Sequence, residues 1–217
     1  GLPYKSIHEL AFDAEGLLWI GTGCFFCEGS GGMARFDGVD WQTYTFENSG
    51  LPSNHIIGLA IDDQGAKWIG TTGSLARFEG DTWTDFSGAE GSARLQGYDF
   101  PGISVDSAGE VWVSSGGSGG VVHFDGEAWT HYQESETPLP SRYAEEIFVD
   151  SQDTRWIGTR EGLAKFDDSG WTIYDTSNTD LPSNWIWAID EDQYGNIWIG
   201  TNIGGMAVHR EGGVLLP

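Results

Sequence analysis

The sequence predicts an all-β fold, a β-propeller of five blades with four antiparallel strands each, spread over residues 1–217 as one domain. Three observations carry this. The tetrapeptide Trp-Ile-Gly-Thr recurs at Trp19, Trp68, Trp156 and Trp198, with a degenerate Trp-Val-Ser-Ser at Trp112, so the spacings are 49, 44, 44 and 42 residues. An aspartate stands six positions before each tryptophan, at Asp13, Asp62, Asp106, Asp150 and Asp192. Between these anchors lie short runs rich in β-branched and aromatic residues, divided by Gly-containing turns, with almost no helical pattern. A motif held in register at this period marks whole supersecondary units stacked on one another.

Each unit runs in the order Leu-Pro-Ser-Asn, a short apolar stretch, Asp-x-x-Gly-x-x-Trp-Ile-Gly-Thr, a glycine, Leu-Ala-Arg-Phe-Asp-Gly and Trp-x-x-Tyr. The second unit shows it best. His55 to Ile61 is the innermost strand, followed by Lys67 to Thr71, Leu75 to Phe78 and Thr82 to Phe86, with Asp62-Asp63-Gln64-Gly65, Thr72-Gly73 and Glu79-Gly80 as hairpin turns. The strands alternate poorly between polar and apolar residues, as expected when both faces of a blade are covered by neighbours. The repeated Trp19, Trp68, Trp112, Trp156 and Trp198, with Phe36, Phe78, Phe124 and Phe166, are therefore assigned to the core between blades. The blades fall at about 1–45, 46–88, 89–133, 134–176 and 177–217. At the ends, Gly1-Leu2-Pro3 aligns with Gly50-Leu51-Pro52, and His209 to Val214 repeats the step from Phe36 to Trp41. The termini are thus expected to be neighbours in a ring of five that closes without strand exchange. The competing expectation is a longer array that closes with more blades.

Composition narrows the partners. Lys and Arg number 10 against 33 Asp and Glu, a formal charge of -23, and such a field repels phosphate backbones and anionic lipid. Nucleic acid is not expected as a partner. No 18-residue apolar stretch occurs, and no basic segment followed by an apolar one opens the chain, so neither direct membrane insertion nor a retained signal peptide is expected. The acidic surface, 33 glycines and 11 tryptophans point to an extracellular or periplasmic setting.

The cysteines are Cys24 and Cys27, in an insert from Gly23 to Gly32 between the second and third strands of the first unit. A Cys-x-x-Cys pair forms a small disulfide-closed loop, a redox couple or half of a metal site. A structural zinc needs four ligands and the five histidines do not cluster in sequence, so the disulfide is the expectation.

Leu-Pro-Ser-Asn at 51–54 and 181–184, Trp-Ile-Gly-Thr, Gly-Leu-Ala-Lys-Phe at 162–166 and Trp-x-x-Tyr resemble the two-component regulator propeller repeat over nearly the whole chain. The resemblance implies an extracytoplasmic sensor region, of a kind often associated with glycans, or a secreted or surface protein. The chain departs from that pattern in carrying five units and no kinase or DNA-binding segment.

In a propeller the loops from outermost to next innermost strand share a face with the turns between second and third strands. Aligned positions there differ between units where the framework does not. His55, Asp99, Tyr143 and Trp185 form one column, and Lys5, Asn54, Tyr98, Arg142 and Asn184 the one before it. Aromatic rings with interspersed amides, carboxylates and guanidinium groups suit sugars, whose C–H faces stack while their hydroxyls need directional partners. The candidate ligand-binding residues are His55, Tyr98, Tyr143, Trp185, Asn54, Arg142 and Asn184, with Phe25 and Phe26 of the insert. The ligand is expected to be a saccharide, with a protein partner as the alternative. Glu9, Glu145, Glu146 and Asp190 are expected to approach the central channel. Calcium is possible in principle, but the Asp-x-x-Gly turns lack the ligand run of a calcium loop, and no cofactor is expected. No catalytic motif is present, so the chain is read as non-enzymatic. A structural subunit of a larger surface assembly is one alternative, and a polysaccharide lyase or hydrolase using Glu145 or Glu146 with His8 or His55 is another.

Overall fold

The computed structural model describes residues 1–24, 29–86, 102–115 and 119–210, and the backbone of a last strand at 213–215. It contains five four-stranded antiparallel sheets, each a meander in sequence order. Sheet I holds β1 (Ile7–Phe12), β2 (Leu18–Gly23), β3 (Gly31–Phe36) and β4 (Trp41–Tyr44). Sheet II holds β5 (Ile56–Ile61), β6 (Lys67–Thr71), β7 (Ser74–Glu79) and β8 (Thr82–Asp85). Sheet III holds β9 (Ile103–Val105), β10 (Val111–Ser115), β11 (Gly120–Phe124) and β12 (Trp129–Tyr132). Sheet IV holds β13 (Ala144–Val149), β14 (Arg155–Thr159), β15 (Leu163–Asp167) and β16 (Gly170–Tyr174). Sheet V holds β17 (Ile186–Glu191), β18 (Ile197–Thr201), β19 (Met206–Arg210) and β20 (Gly213–Leu215). The propeller blades expected from the repeat are present, with the second unit's strands within a residue or so of their expected bounds. Among the described residues no helix is long and apolar enough to cross a membrane.

The fixed offset between aspartate and tryptophan has a physical cause. In every sheet the carboxylate accepts the indole N–H across the hairpin, at 2.7 Å for Asp13 and Trp19, 3.1 Å for Asp62 and Trp68, 3.1 Å for Asp106 and Trp112, 2.8 Å for Asp150 and Trp156, and 3.0 Å for Asp192 and Trp198. Its other oxygen accepts backbone amides of the turn, for example Leu17 N at 2.9 Å from Asp13. A charged acceptor thus satisfies a buried donor that would otherwise cost about 1–3 kcal/mol. The fourth turn position needs a positive φ, which Gly16, Gly65, Gly109 and Gly195 supply; in sheet IV it is Asp153, at 58°, whose carboxylate also reaches Ser107 N of sheet III at 2.8 Å.

Neighbouring sheets interlock by a repeated knob and hole. The glycine of Trp-Ile-Gly-Thr leaves a gap filled by the first residue of the next innermost strand. A Cβ on Gly21 would lie 2.7 Å from Ile56 and one on Gly158 2.8 Å from Ile186, the same position of the repeat; one on Gly70 would lie 2.9 Å from Ile103, three positions further along it. In sheet III Ser114 stands at the glycine position and sheet IV answers with the small Ala144. Above each knob the tryptophan meets the third-strand aromatic of the following sheet, as for Trp19 with Phe78 at 6.0 Å, Trp68 with Phe124 at 6.3 Å and Trp112 with Phe166 at 6.2 Å. His209 takes that place against Trp156, at 4.7 Å.

Four apolar clusters result, between sheets I and II, II and III, III and IV, and IV and V. Among the described residues none joins V to I, which corrects the expectation that five blades close on themselves. Two of the nine aromatic positions assigned to the core lie on the faces left open. Trp198 is only half-buried where its four equivalents are buried, and Phe36 is stacked on Trp41 of its own sheet at 4.5 Å.

Candidate functional site

Innermost strands β1, β5, β13 and β17 each carry a bulge, at Ile7/Glu9, Ile56/Gly58, Ala144/Glu146 and Ile186/Ala188. The extra residues are His8, Ile57, Glu145 and Trp187. A bulge re-aims the side chains beside it, so the repeat framework presents a non-repeating set at the end of the strand where the variable loops enter. Those loops and the turns between second and third strands do share a face. Thr72 N donates to His55 O at 3.3 Å, Arg160 N to Tyr143 O at 3.2 Å and Asn202 N to Trp185 O at 2.8 Å.

The expected ligand-binding residues separate into two groups. At the junction of sheets I and II, a cavity of about 390 Å³ is lined by Cys24, Ser30, Glu47, Asn54, His55 and Thr72 among others. His55 is buried, bonds Thr72 Oγ1 through Nδ1 at 2.9 Å, and meets the His8 ring edge-on at 5.4 Å. Burial holds both histidines below the ordinary imidazole value, and His8 lowers His55 further. Asn54 is committed to the framework: Oδ1 accepts Phe46 N at 2.6 Å and Nδ2 donates to Gly29 O at 3.0 Å. Asn184 Oδ1 similarly accepts Thr176 N at 2.8 Å. Both asparagines fix the entering loop. Cys24 is disulfide-bonded; Cys27, Phe25, Phe26 and Tyr98 lie outside the described residues.

At the junction of sheets IV and V, Tyr143, Trp185 and Arg142 come together around Arg160. The Arg160 guanidinium lies 4.6 Å from the Tyr143 ring centroid and 5.1 Å from that of Trp185, and its Nε donates to Glu145 Oε1. Arg142 covers Tyr143 at 5.0 Å and donates to its hydroxyl at 3.0 Å. Trp187 stands 5.9 Å from Trp185. Trp185 Nε1 is buried and makes no hydrogen bond among the described residues. Arg160 is the residue that loop-based reasoning misses. Its column, with Thr72 and Asn202, varies between units as much as the loop columns facing it.

Of the four acids expected near the channel, Glu9 and Glu146 form a pair. Burial raises Glu9 to about 7, and burial followed by the charge of Glu9 raises Glu146 to about 8. Glu146 packs over Gly102, where a Cβ would come 2.1 Å from Oε1, and that oxygen accepts Ile147 N at 3.0 Å. Glu145 is bound to Arg160, while Asp190 is exposed and accepts Glu191 N at 2.9 Å. A second acidic group, Asp106, Glu110 and His123, brings its ligand atoms within 4.8 Å of one another. It does not suit a cation, because Asp106 Oδ2 already holds Arg155 at 2.9 Å and the Trp112 indole, and Glu110 holds His123 at 2.7 Å.

Comparison with known proteins agrees with the repeat. The profile of the family described as "Two component regulator propeller" matches residues 1–23 and 180–202, the first half of the first and last units, so the repeat resemblance is borne out. An extracellular domain from B. thetaiotaomicron assigned to a hybrid two component system superposes with a TM-score of 0.73 at 24% identity, over 93% of this chain and 27% of that one. The chain therefore spans about a quarter of that protein's length. A streptogramin B lyase superposes with a TM-score of 0.75 at 13% identity, over 99% of this chain and 69% of that one. PorZ of Porphyromonas gingivalis, described as a surface component of the type-IX secretion system, gives 0.66 at 18% identity, over 97% and 32%. Likenesses at these identities establish the propeller fold. No curated protein matches by sequence.

Proposed function

We propose that the chain is a non-enzymatic, extracytoplasmic sensor module that recognises a saccharide on its loop-rich face. The observation that carries this reading is the stack of Tyr143, Arg160 and Trp185 at the junction of sheets IV and V, beside a buried indole N–H that makes no hydrogen bond among the described residues. Flat rings offer an apolar surface to sugar C–H groups, and the arginines, which are scarce in a chain of charge -23, offer directional donors. Similarity to the extracellular domain of a two component system supports the sensor setting.

The test is a thermal-shift screen against a glycan library, followed by titration calorimetry with Trp185→Ala and Arg160→Ala. A stacking anchor at the centre of a site costs at least about tenfold in affinity when truncated, with the melting point of the free protein nearly unchanged. Binding left unchanged by both substitutions refutes the assignment of this face.

A second reading, a rigid subunit of a larger surface assembly, is favoured by the apolar faces left open on sheets I and V and by similarity to PorZ. A stoichiometric protein partner on purification, with no glycan response, supports it. The lyase or hydrolase reading draws on Glu146 and on similarity to a streptogramin B lyase. It requires turnover that Glu146→Gln abolishes.

A further inference from the structure

The stack around Arg160 differs from its counterparts in charge as well as in shape. In sheet II the two columns that supply Arg142 and Arg160 hold Asn54 and Thr72, and in sheet V they hold Asn184 and Asn202, all uncharged. Sheet IV places two of the chain's 10 Lys and Arg residues there. Their surroundings treat the two unequally. Arg160 is answered by Glu145, whose carboxylate accepts its Nε. Among the described residues no carboxylate pairs with the Arg142 guanidinium, which lies on the Tyr143 ring at 5.0 Å and donates to its hydroxyl at 3.0 Å. Because that hydroxyl oxygen is accepting, its own proton remains a donor for another group, and the polar atom of Trp185 is a donor as well. The aromatic platform is thus bordered by donors, and the carboxylate beside it, Glu145, is already engaged. Acceptors lie to one side, where Arg142 borders a cavity of about 370 Å³ shared with Gln133, Glu134 and Ser135; Glu134 Oε2 accepts the Arg142 amide there at 3.1 Å.

We propose that the saccharide recognised on this face is acidic, a sugar bearing a carboxylate or sulfate group, with that group on Arg142 and the Tyr143 hydroxyl and the sugar ring against Trp185. The inference rests on the saccharide reading above and adds its chemical class. A sugar hydroxyl brings a donor with every acceptor, whereas carboxylate and sulfate oxygens only accept, so the acidic group alone matches these donors without leaving a proton unpaired. A hydrogen bond between ionised partners is also about twice as strong as a neutral one. The field of the whole molecule works against such a ligand: a chain of charge -23 repels anions, and that repulsion is screened beyond about 8 Å at physiological ionic strength. An anion that binds here is therefore held by adjacent cations, and diffuse attraction to the surface does not imitate the site. The cavity beside Arg142 supplies the remaining ring hydroxyls with the acceptors of Gln133 and Glu134.

Titration calorimetry of the 217-residue chain against three matched sets of ligands tests this: neutral oligohexoses, the corresponding oligohexuronates and sulfated oligohexoses. An acidic ligand should bind at least about tenfold more tightly than its neutral parent, and the advantage should shrink as salt is raised. Comparison of the uronate and sulfate sets identifies the acidic group. Arg142→Gln should reduce the preference below about threefold while leaving the affinity for the neutral parent and the melting point close to those of the unsubstituted chain. Arg77→Gln, at the surface of sheet II, should leave the preference intact. Equal binding of neutral and acidic ligands, both lost in Trp185→Ala, overturns the acidic class and leaves the saccharide reading standing. A preference that Arg142→Gln does not change overturns the assignment to this residue pair and with it the inference. Binding of none of the three sets removes the saccharide reading itself.

Discussion

Replacing Asp150 by Ala tests the internal staple of a blade. Asp150 Oδ2 accepts the Trp156 indole at 2.8 Å, and Oδ1 accepts Gln152 N and Thr154 N at 2.9 Å each. Trp156 is 2% exposed, so water cannot replace the lost acceptor. An orphaned buried donor costs about 1–3 kcal/mol, and bonds to a charged group contribute about 1.5–3 kcal/mol, so a total near 3 kcal/mol is expected after the turn amides turn to solvent. For a domain of this size that is a fall of roughly 6–12 °C in melting point. Asp192→Ala removes the same contacts to Trp198, but that ring faces the open side of sheet V and its N–H is more accessible to water. The loss there should be about half. Differential scanning calorimetry of the two variants and of Asp150→Asn, which keeps an acceptor, measures the series. Equal losses at positions 150 and 192, or a loss at 150 below about 1 kcal/mol, would refute the argument that burial of the indole sets the cost.

Three more outcomes follow from particular contacts. Gly158→Ala should destabilise by about 1–3 kcal/mol, because the new methyl meets Ile186 at 2.8 Å, whereas Gly200→Ala at 3.5 Å from Ala188 should be nearly neutral; chemical denaturation midpoints compare them. Stability should also depend on pH in an unusual sense. Glu9 and Glu146 bind protons more tightly in the fold than at the ordinary value of 4.5, so their contribution is complete below that value and is lost as pH rises through about 7 and 8. The depressed aspartates act in the opposite direction: Lys165 and Ser169 hold Asp167 down at about 2, and in Asp13 the Trp19 indole, the Leu17 amide and Lys67 outweigh a burial that by itself raises it. The melting point should therefore peak near pH 4–5 and decline toward pH 8, with Glu146→Gln flattening the decline. Finally, Arg155→Ala should cost more than Arg77→Ala, since Arg155 joins sheet IV to Asp106 and Trp112 of sheet III while Arg77 pairs with Glu79 within one sheet at the surface.

The blade was legible in the sequence because its determinants are local and repeated. Trp-Ile-Gly-Thr fixes the second strand, Asp-x-x-Gly the hairpin before it, and five copies average out local ambiguity. The offset of six residues was visible, but its cause was not, because the carboxylate and indole meet across a hairpin whose geometry only the fold supplies. The candidate site was half legible. Columns containing Tyr143 and Trp185 stood out as variation within a fixed frame, yet Asn54 and Asn184 shared that variation and serve the loop backbone. An asparagine varied between units looks the same whether it awaits a ligand or bonds Phe46 N. Closure was not legible at all. Neighbouring units meet through similar small-residue gaps and apolar side chains, so a repeat pattern specifies neighbours without specifying how many make a ring.

That last point decides how Trp185 and Trp187 are to be separated. They lie side by side, and Trp187 is the more exposed at 57%. Exposure alone would make Trp187 the binding residue. Its equivalents argue otherwise: Ile57 is 1% exposed, His8 packs on His55 of the following sheet, and Glu145 is held by Arg160. Each bulge residue is covered, and in the case of His8 the cover comes from the next sheet round. Trp187 stands on the face of sheet V against which no described sheet packs, so its exposure belongs to that open face. Trp185 is packed against Arg160, and its buried N–H makes no hydrogen bond among the described residues. Trp187→Ala should accordingly leave glycan affinity within about twofold while reducing dye binding to the open face, and Trp185→Ala should do the reverse. If Trp187→Ala abolishes glycan binding, the sugar sits in the opening between sheets V and I, and the stack around Arg160 is a structural clamp between sheets IV and V.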